Sequence, residues 1–154
     1  MAVAVVITLL QLGPDLLLGD DDTADSDPPA VTTDGQRVYW QDLQPGMCIR
    51  DDPNGMDYPV VDCRAEHEEE VMSRDTLARS KEYPGDAAVD DAGQKKCETG
   101  FASYVGLELD ECRFDLDFLT PDKDSWTAGK VTLICLVLDS DHDQITRSLR
   151  GAHE

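Results

Sequence analysis

Five cysteines, three histidines and many carboxylates are the residues of this chain whose types could do chemistry. Cys48, Cys63, Cys97, Cys112 and Cys135 form no CxxC pair, and their spacing matches no zinc finger or ribbon. His142 and His153 lie near the C-terminus, while His67 follows Cys63 by four residues, a separation that a Cys–His nucleophile pair could use. That chemistry needs a cationic setting to hold a thiolate, and Glu66, Glu68, Glu69 and Glu70 crowd this stretch instead. Acids such as Glu66, Glu70, Asp115 and Asp117 could divide acid and base roles in a hydrolase if their environments drove their pKa values apart. Asp115 and Asp117 alternate with apolar residues, however, and so belong to a solvated strand face where neither would shift far. The residues therefore assign no catalytic group, no cofactor and no metal. Disulfides account better for the cysteines, and these persist only in oxidising compartments.

The elements that must position these residues follow from periodicity. Residues 38–50 read as a short strand, a turn at Gln44, Pro45 and Gly46, and a second extended piece ending near Cys48 and Ile49. Pro53 and Asn54-Gly55 break the chain before a strand over 59–63, and a further extended piece is expected over 70–77. Asp86 is positioned to cap a helix over 87–105, with Val89, Gly93, Cys97, Gly100, Phe101 and Tyr104 on one face and Gly106 ending it. Two glycines inside a helix are unfavourable, which points to close approach of the helix to a sheet. Cys112, Phe114, Leu116 and Phe118 alternate with Arg113, Asp115 and Asp117 as a half-buried strand. Thr120 and Pro121 read as the cap and first position of a short helix that carries Trp126 and stops at Gly129. The run over 131–138 is apolar on both faces, as a central strand requires, and too short to span a bilayer. The fold class is α+β: one main helix and a short helix packed on a small, mainly antiparallel sheet, stapled by two disulfides.

Around this domain, expected over 37–139, composition changes sharply. Residues 2–10 are apolar but for Thr8 and apolarity resumes at 16–18, with Pro14 and Asp15 between. Residues 1–18 thus read as a hydrophobic anchor or signal-like segment, short of the roughly 20 residues a spanning helix uses. Residues 19–36 are an acidic linker that can bury nothing, and 140–154 a polar tail. The formal charge of -20 excludes a non-specific nucleic-acid binder and disfavours contact of the folded part with anionic lipid.

Placed on these elements, Cys97 on the buried helix face and Cys135 within the central strand can meet, and Cys48 and Cys63 end neighbouring extended pieces. Cys112 shares a strand face with Phe114 and Leu116, where it acts as a small hydrophobe. Its pairing with Cys97 or Cys135 is the competing arrangement.

In order, the segments at 42–48 (DLQPGMC), 60–71 (VVDCRAEHEEEV), 83–89 (YPGDAAV), 101–106 (FASYVG) and 120–137 (TPDKDSWTAGKVTLICLV) resemble the actinobacterial septum formation-related domain. That family usually lies outside the cytoplasm behind a transmembrane helix. The resemblance implies four family cysteines, here Cys48, Cys63, Cys97 and Cys135, and leaves Cys112 unpaired and open to a disulfide dimer. It marks His67, Glu70 and Trp126 as motif positions, although Glu66 stands where a proline commonly precedes the histidine. It further implies an extracytoplasmic interaction module of the cell envelope, tied to septation and held at the membrane only through the N-terminal segment. Its partner would be an envelope protein or cell-wall component. An envelope hydrolase or a thiol-redox protein acting through Cys112 is the alternative.

Overall fold

The computed structural model describes residues 35–141 and 143–154. The expected anchor at 1–18, nearly all of the acidic linker and His142 lie outside the described residues. Among the described residues, no helix is long and apolar enough to cross a membrane.

The described residues form one six-stranded sheet in the order β1-β3-β2-β4-β6-β5, and every neighbouring pair is antiparallel. Its strands are β1 (Arg37–Tyr39), β2 (Cys48–Ile49), β3 (Asp57–Val61), β4 (Glu69–Thr76), β5 (Phe114–Leu119) and β6 (Thr132–Asp139). The helices are α1 (Asp86–Val105) and α2 (Lys123–Thr127). β6 lies between β4 and β5, so both of its edges are paired, and a core cluster covers each of its faces. Leu133, Cys135 and Val137 face α1, and Ile134 and Leu136 join Trp40, Leu43, Ile49, Tyr58, Val60 and Val71 on the other side. A register shift between Val71 and Ser73 leaves Met72 as an extra residue in the pairing with β6. The α+β class expected from the sequence is the one observed.

Two caps differ from expectation. The Asp86 carboxylate accepts from the Tyr83 hydroxyl rather than from the helix, and Gly85 with φ 98° stands at the cap position of α1. Thr120 donates to Asp90 at 2.7 Å, so α2 starts later, capped by Asp122, whose Oδ1 accepts from the Ser125 N–H at 2.8 Å. In both cases a tertiary partner or a neighbouring carboxylate competes successfully for the expected cap.

The two glycines inside α1 behave oppositely. A Cβ on Gly93 would meet Thr120 Cγ2 at 2.8 Å and Leu133 Cδ1 at 3.2 Å, whereas one on Gly100 would meet Met72 Cε at an ordinary 3.8 Å. Gly93 is thus the point of close helix–sheet approach, and Gly100, assigned to the buried face by periodicity, is exposed. Gly100→Ala is expected to stabilise the domain by roughly 1 kcal/mol through helix propensity. In Gly93→Ala that gain is overtaken by about 1–3 kcal/mol of overpacking. Urea unfolding of the two variants checks the opposite signs.

The C-terminal segment corrects the expectation of a loose polar tail over 140–154. Ile145 and Leu149 are buried in the core under α1. The last residues also satisfy carbonyls that α1 leaves without partners: Gly151 N–H donates to Tyr104 O at 2.7 Å and His153 N–H to Val105 O at 3.1 Å. The segment is polar in composition because its two apolar anchors suffice to seat it, while its backbone does the rest.

Candidate functional site

The chain from β3 to β4 and the C-terminal segment converge on one buried junction. Cys48 on β2 is bonded to Cys63, which follows β3 and is half-buried. Cys97 on α1 is bonded to Cys135 on β6, with both residues fully buried, and Cys112 is free and half-buried. These are the pairs expected from placement. Cys112 precedes β5 rather than starting it, because Leu109–Glu111 form a 3₁₀ turn.

His67 and Glu70, two of the motif positions, are brought together at the Cys48 side of this junction. His67 exchanges both backbone hydrogen bonds with Ile145 of the C-terminal segment, at 3.0 and 2.8 Å. Its ring is fully buried; Nδ1 lies 2.8 Å from the Ala65 carbonyl, and Nε2 has no hydrogen-bond partner among the described residues. Since a carbonyl only accepts, Nδ1 carries the proton in that contact.

Glu70, on the α1 side of β4, ties three elements together. Its Oε1 accepts from the Tyr104 hydroxyl at 2.6 Å and the Ser148 hydroxyl at 2.7 Å, and Oε2 accepts from the Leu149 N–H at 2.5 Å. Burial, then the negative charge of Glu70 and the hydrogen bond to it, hold the Tyr104 phenol protonated well above its ordinary range. Arg150 stacks over the Tyr104 ring, 5.1 Å from its centroid. Cys48 Sγ, a ring nitrogen of His67 and a Glu70 carboxylate oxygen all lie within 4.8 Å of one another. Linear spacing had argued against any such set; Cys48 joins it only because β2 pairs with β4, placing Cys48 opposite Glu70.

The neighbouring Glu69 points to the opposite face of β4. Burial first, then the charges of Asp117, Asp51 and Glu68, push its carboxyl up to about 8. The folded value stands above the ordinary 4.5, so the unfolded chain ionises before the native one. Stability on this account is full below about pH 4.5 and falls as pH rises towards 8. Glu69→Gln is therefore expected to raise stability by about 2 kcal/mol near pH 9 and hardly at all near pH 4, the full shift being reduced by local relaxation and water. Thermal melts at the two pH values read this directly.

The remaining candidates are dispersed. Trp126 on α2 is buried against Tyr83 in an edge-type contact, centroids 5.9 Å apart, and its indole N–H has no hydrogen-bond partner among the described residues. Glu66 is exposed, and Asp115 and Asp117 occupy the exposed positions of β5. A separate groove of about 320 Å³, lined in part by Tyr39, Trp40, Met56, Phe118 and Ser125, contains none of the motif residues. Reading the sequence missed Ser148, the Leu149 N–H and the buried state of Glu69. The one available signal was the i,i+4 pair Ile145 and Leu149, which is short for a helix and silent about the backbone contacts that seat it.

The family model described as Septum formation matches residues 45–153. Two curated relatives, from Mycobacterium bovis and Mycobacterium tuberculosis, each named "Putative lipoprotein LppN", are similar to the chain. Each is 28% identical over 136 residues, covering 84% of this chain and 74% of the relative. No solved structure matches.

Proposed function

Since the chain belongs to the septum formation family, we propose that it is an extracytoplasmic interaction module of the cell envelope, acting by binding and tied to septation. The observation that carries this reading is the pair of disulfides, Cys48–Cys63 and Cys97–Cys135, in a small domain of that family. Disulfides of this kind persist on the oxidising side of a membrane. The relatives are named as lipoproteins, which supports a tether at the envelope, with the hydrophobic segment at 1–18 as its place in this chain. The formal charge of -20 favours a partner with a cationic face and keeps the domain off anionic lipid.

The acids give the hydrolase alternative little support. Glu70 is held by three donors inside the junction, Glu66 is exposed, and Asp115 and Asp117 stand on a solvated face. The Cys112 thiol donates to the carbonyls of Leu109 and Phe114 and packs against the apolar core, a setting that resembles a small buried hydrophobe more than a redox centre.

The test uses the tagged full chain in its own cell. Membrane-impermeant labelling should reach the domain from outside, non-reducing mass mapping should find the four family cysteines oxidised, and crosslinking should capture an envelope partner. Recovery of those four cysteines fully reduced, with the domain shielded from the label, overturns the reading.

A further inference from the structure

We propose that reduction of the Cys48–Cys63 disulfide turns the junction beside it into a binding site for a thiophilic divalent cation such as zinc. The ligands would be Cys48, Cys63, His67 and Glu70. The inference goes beyond the envelope role and does not depend on it.

Three donors are already gathered, with Cys48 Sγ, a His67 ring nitrogen and a Glu70 oxygen within 4.8 Å of one another. A tetrahedral zinc site has ligand bonds of about 2.0–2.3 Å, so its donors stand roughly 3.3–3.8 Å apart. The side chains must therefore close in by about 1 Å, within the reach of small χ adjustments. The fourth donor, Cys63 Sγ, is bonded to Cys48 in the oxidised protein. Breaking that bond lets the two sulfurs separate to van der Waals distance, which is the direction a tetrahedral site requires.

His67 is prepared for this role. Its Nδ1–H donates to the Ala65 carbonyl, which leaves the lone pair on Nε2, buried and without a partner among the described residues. Metal-ligating histidines are oriented in the same way, by a backbone carbonyl or carboxylate on the other ring nitrogen. A buried acceptor with no donor is otherwise destabilising. Glu70 keeps ligand capacity too, because Oε2 accepts only from Leu149 N–H while Oε1 takes both hydroxyls.

The two disulfides differ in access. Cys63 is half-buried, whereas both Cys97 and Cys135 are fully buried. A reductant therefore reaches the first pair selectively. A dithiol supplies two electrons and two protons and leaves as its own disulfide. The S–S bond breaks, Cys48 and Cys63 each gain a hydrogen, and binding of the cation releases both protons to solvent.

The experiment uses the full chain carrying Cys112→Ser, reduced with a phosphine, which delivers the same two electrons without competing for the metal. Mass mapping verifies that Cys97–Cys135 stays closed. Cobalt(II) is titrated as the spectroscopic probe and then displaced by zinc. The expected result is one ion per reduced chain with a thiolate-to-cobalt charge-transfer band and tetrahedral visible bands, and no such band in the oxidised protein. His67→Gln should weaken binding by at least about tenfold, and Cys63→Ser, at a half-exposed position, should weaken it and diminish the thiolate band. No band in the reduced protein, the same band in the oxidised protein, or full affinity retained in Cys63→Ser each overturns the proposal. Should His67→Gln not fold, Cys63→Ser alone decides.

Discussion

Replacing Cys97 and Cys135 together by alanine is expected to lower the unfolding free energy by about 4 kcal/mol, the loop-entropy value for a closure of this length. The bond joins α1 to β6 across 38 residues, inside the core where both residues are fully buried. Releasing it frees the unfolded chain while leaving two small hollows in the native core. Total stability of small domains is on the order of 5–15 kcal/mol, so the variant should sit close to the margin. Removing Cys48 and Cys63 opens a loop of 15 residues, for which the same model gives about 3 kcal/mol. Urea denaturation of the two double variants tests the order. A smaller effect at Cys97 and Cys135 than at Cys48 and Cys63 would show that the helix and sheet hold together without their bridge.

Glu70→Ala is expected to cost about 3 kcal/mol, because hydrogen bonds to a charged acceptor are strong and the loss leaves buried donors behind. The Tyr104 hydroxyl, the Ser148 hydroxyl and the Leu149 N–H would all lose their acceptor. The damage should be local before it is global. Residues 145–154 are seated by Ile145, Leu149, the exchange with His67 and the contacts to the end of α1. Hydrogen exchange at Leu149, Gly151 and His153 should accelerate in the variant well before global unfolding. Glu70→Gln keeps an acceptor for one side of the cluster and should cost about half as much. Unchanged exchange at those amides in Glu70→Ala would remove the carboxylate from the list of groups that hold the C-terminal segment.

The functional consequence concerns His67 as well as stability. The C-terminal segment is bridged to the His67 backbone through Ile145 and tied to Glu70 through Ser148 and Leu149, so loosening that segment should loosen the junction beside Cys48. The proposed envelope role and the proposed reduced-state metal site draw on the same cysteine pair in opposite redox states. The first is served by a closed disulfide and a rigid domain, the second by two free thiols next to an oriented histidine.

Much of the architecture was legible along the chain because it is written in local periodicity. Alternation at 112–118, the doubly apolar run at 131–138 and the helical stripe from Val89 to Tyr104 each report which face is buried, and the structure places β5, β6 and α1 there. Glycine at 106 marks the end of α1 because only that conformation, φ 93°, turns the chain there. Caps were less legible. Asp86 and Thr120 have the right side chains, yet Tyr83, three residues before Asp86, and Asp90, brought to Thr120 by tertiary contact, take their hydrogen bonds.

By itself the sequence determined the class of fold and the position of the main helix and central strand. Local geometry suffices for these, since each depends on which residues recur every two or every 3.6 positions. Only the tertiary structure decided what the junction around His67 and Glu70 is. Its donors come from β2, the turn before β4, α1 and a C-terminal segment whose composition looked unstructured, and strand pairing between β2 and β4 is what sets Cys48 beside Glu70. The physical reason is that burial and hydrogen-bond partners are non-local quantities. Glu69 and Glu70 are adjacent and chemically identical, yet one is pushed up to about 8 by burial and like charges while the other is clasped by three donors.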